Sequence, residues 1–368
     1  MPIMLQYEVM STELLRTPLA ELHRSIGARM VPFAGWEMPV QYAGVIAEVN
    51  AVRTGVGIFD VSHMGRMIVR GADTLAYLQS LVPSDLSRLK DDGGCYTFLP
   101  NENGGVVDDI IVYRRSYTEF WVVFNAGCLD KDRAWFQGHT AGFDVVIDDI
   151  TESTGLLAVQ GPAAMALLGD FVDSHARFAI GETTFAGIAI TAARTGYTGE
   201  DGFEAFVAVD QLEQLWTAFT DAGVIPCGLG ARDALRLEAA YPLYGHEMDD
   251  DVNPFSARLG WVIHKKKAAD YVGRANVETG RGNASIPALV GLIMDGRHIA
   301  RDGYPVQDEA GNPIGHVTSG TYSPILQKGV ALARLTRTHS EIGTTVYVVI
   351  RDKAMPAIVS DTPFVPTI

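Results

Sequence analysis

The 368-residue chain is 47% hydrophobic and 20% charged, a balance that supports a sizeable core and excludes a disordered tail. Its 29 Lys and Arg against 44 Asp and Glu leave a net charge of −15, a field that repels nucleic acid and anionic membranes, so neither is an expected partner. The 38 glycines and 17 prolines exclude a coiled coil, and Cys95, Cys128 and Cys227 lack the spacing of a zinc site or a disulfide framework.

Residues 1–11 contain Glu8 and no basic start before a long apolar run, so no targeting segment is expected and the expected location is cytoplasmic. The longest uncharged stretch, 153–169, is interrupted by Gln160-Gly161-Pro162 and falls short of the roughly 20 apolar residues of a membrane span. The first helix is predicted from Thr17-Pro18, with Thr17 as cap, Leu19, Leu22 and Ile26 inward and Gly27 at its end. Pro32, Gly35, Pro39 and Gly44 break 30–45, which is expected as a packed apolar loop. A helix over 73–81 follows. Runs at 66–69, 96–99, 110–113 and 120–124 predict one antiparallel sheet, and 143–147 and 156–159 continue the β pattern before a short helix over 162–168.

Leu212, Leu215, Trp216 and Phe219 have the i, i+3, i+4, i+7 spacing of an amphipathic helix, and a further helix over 231–239 is entered through Gly228 and Gly230. The polar stretch 273–287 is expected as a linker or exposed loop. Beyond it, short β runs at 290–294, 330–335, 345–350 and 357–359 predict a small barrel or sandwich. The class is α+β, with a first region over 12–285, read as two interleaved α+β domains, and a C-terminal β-barrel domain over 286–368.

No phosphate-binding loop, zinc-protease motif or nucleophile elbow is present. Of the nine histidines, only His246 has a carboxylate beside it in sequence, and it reads as structural. Three segments concentrate polar groups. In Asn101-Glu-Asn-Gly-Gly-Val-Val-Asp108-Asp109, two adjacent acids enter an apolar strand and must point to opposite faces. One is aimed inward, where its charge is costly unless a donor or ligand meets it; the pattern equally suits a turn-stabilising Asp108 and a solvent-facing Asp109. In 194–204, Gly196, Gly199 and Gly202 surround Tyr197, with Glu204 able to accept two parallel donors; a long hairpin turn with an acidic tip is the alternative. Arg232 and Arg236, four apart on one helix face, suit either a ligand's carboxylates or neighbouring acids.

These segments, with Phe33-Ala-Gly-Trp-Glu-Met-Pro39, Phe59-Asp-Val-Ser-His-Met-Gly65, Gln160-Gly-Pro162 and Thr318-Ser-Gly320, resemble the T-protein family of the glycine cleavage system over about residues 17–366. The resemblance implies a three-domain cloverleaf of antiparallel sheets packed by helices around a central folate pocket, ending in a small β-barrel. It implies tetrahydrofolate as cosubstrate, no metal, and a lipoylated H-protein as partner, with the aminomethyl group of the lipoyl arm converted to 5,10-methylenetetrahydrofolate, ammonia and dihydrolipoyl H-protein. By motif position Asp109 resembles the family's essential aspartate, and Met64, Tyr96, Tyr113, Tyr197, Glu204, Arg232, Trp261 and Arg351 resemble folate contacts.

The residue chemistry agrees in kind: a reduced pterin presents adjacent N–H donors that a carboxylate accepts, and the folate's own nitrogen supplies the nucleophile. A folate-dependent demethylase of a small amine or sulfonium compound is a second reading. A non-catalytic folate-binding protein is a third, though Gly94-Cys-Tyr96 lacks the flanking residues of that relative's motif. The basic run His264-Lys-Lys-Lys267 is expected to border the docking site of an acidic carrier.

Overall fold

The computed structural model describes residues 13–169, 171 and 176–367, so residues 1–11 lie outside them. Strands Gly93–Pro100, Val106–Ser116, Glu119–Phe124, Gly65–Arg70 and Val146–Asp149 pair antiparallel in that spatial order, the single sheet that the apolar runs predict. The last strand begins three residues beyond the expected 143. A second, six-stranded sheet runs Ile180–Phe185, Ile188–Ala193, Gly202–Ala208, Thr154–Gln160, Gly57–Asp60 and Ile225–Pro226, with only the last pair parallel. Six strands between Ala288 and Ser360 close into the C-terminal barrel, around a core that includes Leu292, Val317, Leu335, Val346 and Val359. The chain is therefore α+β, as expected.

The helix Leu212–Asp221 buries Leu212, Leu215, Trp216 and Phe219 against the second sheet, as their spacing requires. The helix Leu229–Glu238 stands where the two sheets and the barrel meet. Its entry depends on Gly228, because a Cβ there would lie 2.3 Å from the Val40 carbonyl carbon. The Gly228 N–H donates to the buried Glu48 carboxylate, which also accepts from the Tyr42 and Gly44 N–H groups.

Four local expectations are corrected. The stretch 30–45 is not a loop: Arg29–Phe33 and Trp36–Gln41 form a hairpin through Ala34 and Gly35, both at positive φ. Pro39 is tolerated in the middle strand because the outer partner, Leu15–Arg16, is only two residues long and reaches Trp36 and Glu37 alone. The first helix is Ala20–Ser25, and Thr17 does not cap it; the Thr17 hydroxyl donates to Asp60 instead, and Leu19 and Leu22 pack on the core as expected, with Ala20 and His23 also buried, while Ile26 is exposed. The predicted helix over 162–168 is only a 3-10 turn at Met165–Leu168. The stretch 273–287 is not a free linker, because Arg274–Glu278 is a short helix that buries Val277 and packs on the turn holding Gly104.

Candidate active site

Strand alternation places the two neighbouring acids. In Val106–Ser116, Ile110 and Val112 face the core beneath the first sheet, whereas Ile111 and Tyr113 face the core between the sheets. Asp108 therefore points beneath the sheet and is fully buried, so it is neither turn-stabilising nor exposed. Asp109 points the other way, toward the inter-sheet side, and keeps some solvent contact. Its cross-strand partner is Phe98, which puts Tyr96 diagonally beside it on the same face.

Asn125, the residue following the strand Glu119–Phe124, clamps both acids. Its backbone N–H donates to Asp108 Oδ2 at 2.9 Å, and its side-chain amide donates to Asp108 Oδ1 at 2.9 Å and Asp109 Oδ1 at 2.8 Å. Burial, and then the charge of Asp108, push the Asp109 carboxyl up to about 7, against the Tyr96 hydroxyl and the Asn125 amide, which favour its ionised form. The Tyr96 hydroxyl is itself buried without a hydrogen bond of normal geometry; burial and then the Asp109 charge hold its pKa well above that of a free tyrosine.

The expected cofactor-binding residues extend from this point. Tyr197 feels the Asp109 charge and donates its hydroxyl proton to the Pro242 carbonyl. The Arg232 guanidinium lies 4.8 Å from the Tyr197 ring centroid. Arg232 has no hydrogen bond or ion pair among the described residues, and its Nη1 is buried; burial depresses its pKa, with Glu204 and Tyr197 opposing. Glu204 is buried and accepts from the Thr195 hydroxyl at 2.8 Å, and Thr195 lies 3.0 Å from the Tyr113 hydroxyl. Tyr113 is fully buried, its ring passing over Gly94, where a Cβ would lie 2.5 Å from Tyr113 Cδ1. Tyr113 is thus a support for Glu204 rather than an open wall. Met64 packs against the same inter-sheet core.

Trp261 stacks on Tyr96, with centroids 5.9 Å apart and planes at 17°, yet is 70% exposed; it is a cover at the rim. Arg351 is the one candidate not brought to the cluster by any described contact: it is exposed, at positive φ, at the tip of the hairpin between Thr345–Ile350 and Lys353–Ser360. The basic run also divides. Lys265 and Lys266 are exposed, but Lys267 is buried and donates to the Gln79 and Val82 carbonyls at the end of the helix Thr74–Leu81, and burial depresses its pKa to about 7. His264 accepts the Asp85 N–H at 2.8 Å.

Two site residues escaped sequence reasoning. Asn125 has no motif of its own; the signal was a polar residue ending an apolar strand. His63, within the segment 59–65, is buried with an unpartnered Nδ1, against the edges of Phe33 and Trp36 and within the field of Arg232; burial lowers its pKa to about 4, so it is neutral at pH 7. The sequence neighbour pair His246-Glu247 is structural, and the spatial His–carboxylate pair is instead His23 Nε2 with Asp60 at 3.0 Å. Burial alone would raise Asp60, but hydrogen bonds from His23, Thr17 and Ser62 hold it at about 2.

The group combines a half-buried acid, the Tyr96 hydroxyl beside it, and a guanidinium without a hydrogen bond among the described residues, next to stacked aromatic faces, without an activated Ser, Cys or Lys nucleophile among these residues. Comparison with known proteins gives the family. The GCVT N-terminal domain model matches residues 19–267 and the glycine cleavage T-protein C-terminal barrel domain model matches 288–366. The chain is 46% identical over 362 residues to an aminomethyltransferase of a Synechococcus species, covering 95% of this chain and 99% of that protein. It is also 46% identical to an aminomethyltransferase of Thermus thermophilus, with the same coverages over 357 residues. The crystal structure of the glycine cleavage system aminomethyltransferase T from Bartonella henselae superposes with a TM-score of 0.90 at 34% identity, over 96% of this chain and 99% of that one. The chain belongs to the glycine cleavage T-protein family of aminomethyltransferases.

Proposed function

We propose that this enzyme transfers the aminomethyl carbon from the lipoyl arm of an H-protein to tetrahydrofolate, releasing ammonia and leaving 5,10-methylenetetrahydrofolate. The observation that carries the reading is Asp109: a carboxyl held by Asn125 among aromatic side chains, with Tyr96 beside it and the Arg232 guanidinium, which makes no hydrogen bond among the described residues, within the same group of side chains.

Tetrahydrofolate fits these groups in kind. Its flat reduced pterin suits the aromatic faces of Tyr96 and Tyr197, its adjacent N–H donors suit a buried carboxylate such as Glu204, and its anionic tail or ring carbonyl suits Arg232. The folate supplies the nucleophilic nitrogen, and the protein supplies placement and charge. The Asp109 carboxylate orients the reacting side of the folate and stabilises positive charge that develops as the bond to ammonia breaks. Because its pKa stands near 7, Asp109 is ionised above neutrality and protonated below, so the rate is expected to fall as pH drops through 7.

The test mixes the purified protein with tetrahydrofolate and aminomethyl-loaded, lipoylated H-protein. Ammonia and methylenetetrahydrofolate are expected in equal amounts, and are expected to be lost in Asp109→Asn. Failure of the wild type with this carrier, together with folate methylation from free small amines or sulfonium compounds, would replace this reading with the demethylase one.

A further inference from the structure

Behind Asp109, on the far face of its strand, lies a second carboxyl that the reaction above does not use. Asp132, on the helix Leu129–Gly138, is fully buried, and both of its carboxyl oxygens lack any hydrogen-bond donor. One of its oxygens, an oxygen of Asp108 and the Cys128 sulfur lie within 4.8 Å of one another, all buried. An ionised carboxylate cannot persist there without donors, next to another carboxylate that Asn125 already holds by two N–H groups. Burial raises the Asp108 pKa as well, but its oxygens, by contrast, have partners that favour the charge: Asp132, Asn125 and Cys128.

We propose that Asp132 is held as a neutral carboxyl donating its proton to Asp108, so that the buried pair carries one negative charge, and that this charge, placed beside Asp109 by the Asn125 clamp, sets the pH at which Asp109 becomes ionised. Asp132 is then a positioning residue that acts through Asp108 and Asn125 and never meets the substrate. The inference rests on the role of Asp109 proposed above, but its first test does not.

The charges around the pair agree. On its own helix, Lys131 is bonded to Asp250 and Tyr244; its charge favours ionisation of Asp132 and of the Cys128 thiol, but burial and the neighbouring carboxylates outweigh it. Cys128, in the turn before that helix, has its thiol pKa raised by burial and then by Asp108 and Asp132, so it stays neutral. Tyr244 stands within the field of Cys128 and Asp108 and is also raised by burial. Asp132 is itself pushed up to about 11, by burial first and Asp108 second. On the other face, Asp109 meets Asp108, Tyr96 and Tyr197. Burial first, and then the one carboxylate behind it as a like charge, keep Asp109 protonated to a higher pH than an ordinary aspartate.

Two isosteric variants read the proposal. Infrared difference spectra at pH 8, where exposed carboxyls are ionised, are expected to show a protonated-carboxyl band in wild type that disappears in Asp132→Asn and persists in Asp109→Asn. Absence of the band in wild type, or its survival in Asp132→Asn, would overturn the proposal, as would a stoichiometric metal ion on the purified protein that Asp132→Asn removes. In the pH profile of ammonia release, Asp108→Asn is expected to move the acid limb down by about one unit, because the like charge is gone. Asp132→Asn is expected to leave the limb in place, since one neutral donor replaces another. A limb that moves equally in both variants would show that Asp132 is charged, and one that moves in neither would remove the pair from control of Asp109. A merely structural, ionised Asp132 would give no protonated-carboxyl band in wild type for Asp132→Asn to remove.

Discussion

Arg232 and Arg236 lie one turn apart on the helix Leu229–Glu238, and their surroundings are opposite. Arg236 is almost fully buried and fully used: Nε donates to Asp233 at 2.9 Å, Nη1 to Glu247 at 3.1 Å and Nη2 to Ser319 of the barrel at 2.8 Å, while Thr318 donates to the other oxygen of Glu247. A few residues away in space, Arg53 is shared between Glu238 and Glu200, and Glu238 reaches Ser323 of the barrel. Arg232 has the same chemistry and no polar partner of its own. A fold that satisfies one buried guanidinium so completely leaves its neighbour without a hydrogen bond, which is the group that the proposed function assigns to the folate. The seam ties the barrel to the helix Leu229–Glu238.

The contrast can be broken from either side. The largest effect is expected at the seam: Arg236→Ala leaves Glu247 buried and unpaired, and should lower stability in denaturant by about 3–5 kcal/mol. Next, Asp109→Asn should leave the melting temperature near wild type and reduce kcat by about 10²–10³-fold, the cost of losing an electrostatic group at the reacting atoms. Arg232→Ala should behave unlike Arg236→Ala and leave stability near wild type, because it removes a charge that burial disfavours and that only the Glu204 charge and the Tyr197 ring offset, with no hydrogen bond lost. A fall in stability matching that of Arg236→Ala would erase the distinction between the two. The smallest effect is expected at the rim. Reversing Lys265 and Lys266, which sit exposed near Trp261, should slow the reaction with an acidic lipoyl carrier a few-fold at low salt and spare free aminomethyl-lipoate. Equal effects on both donors would dissociate these lysines from carrier docking.

Much of this geometry is legible in the residues because it follows from periodicity. Alternation along the strand carrying Asp108 and Asp109 requires opposite faces, and helical spacing marks Leu212, Leu215, Trp216 and Phe219 as one buried stripe. Which acid faces which side does not follow from alternation alone, since the two faces of that sheet are both covered; the family motif points to Asp109, and the structure puts it on the inter-sheet side. Asn125, His63 and Asp132 are illegible for a different reason: each matters through groups brought to it from distant parts of the chain, and no local pattern announces that. The hairpin Arg29–Phe33 and Trp36–Gln41 is hidden by prolines that a two-residue partner strand makes harmless. Lys267 is hidden in a run that looks like a solvated face, although it is spent on helix carbonyls.

The account turns on whether the bare Arg232 and its aromatic surroundings receive a reduced folate. Calorimetric titration of tetrahydrofolate into wild type and Arg232→Ala, with Arg236→Lys as the seam control, addresses this without any carrier protein. One equivalent is expected to bind the wild type and the control, with affinity at least about tenfold weaker in Arg232→Ala, the loss of a charge-assisted contact. Equal affinity in wild type and Arg232→Ala, or no binding to the wild type, would contradict it.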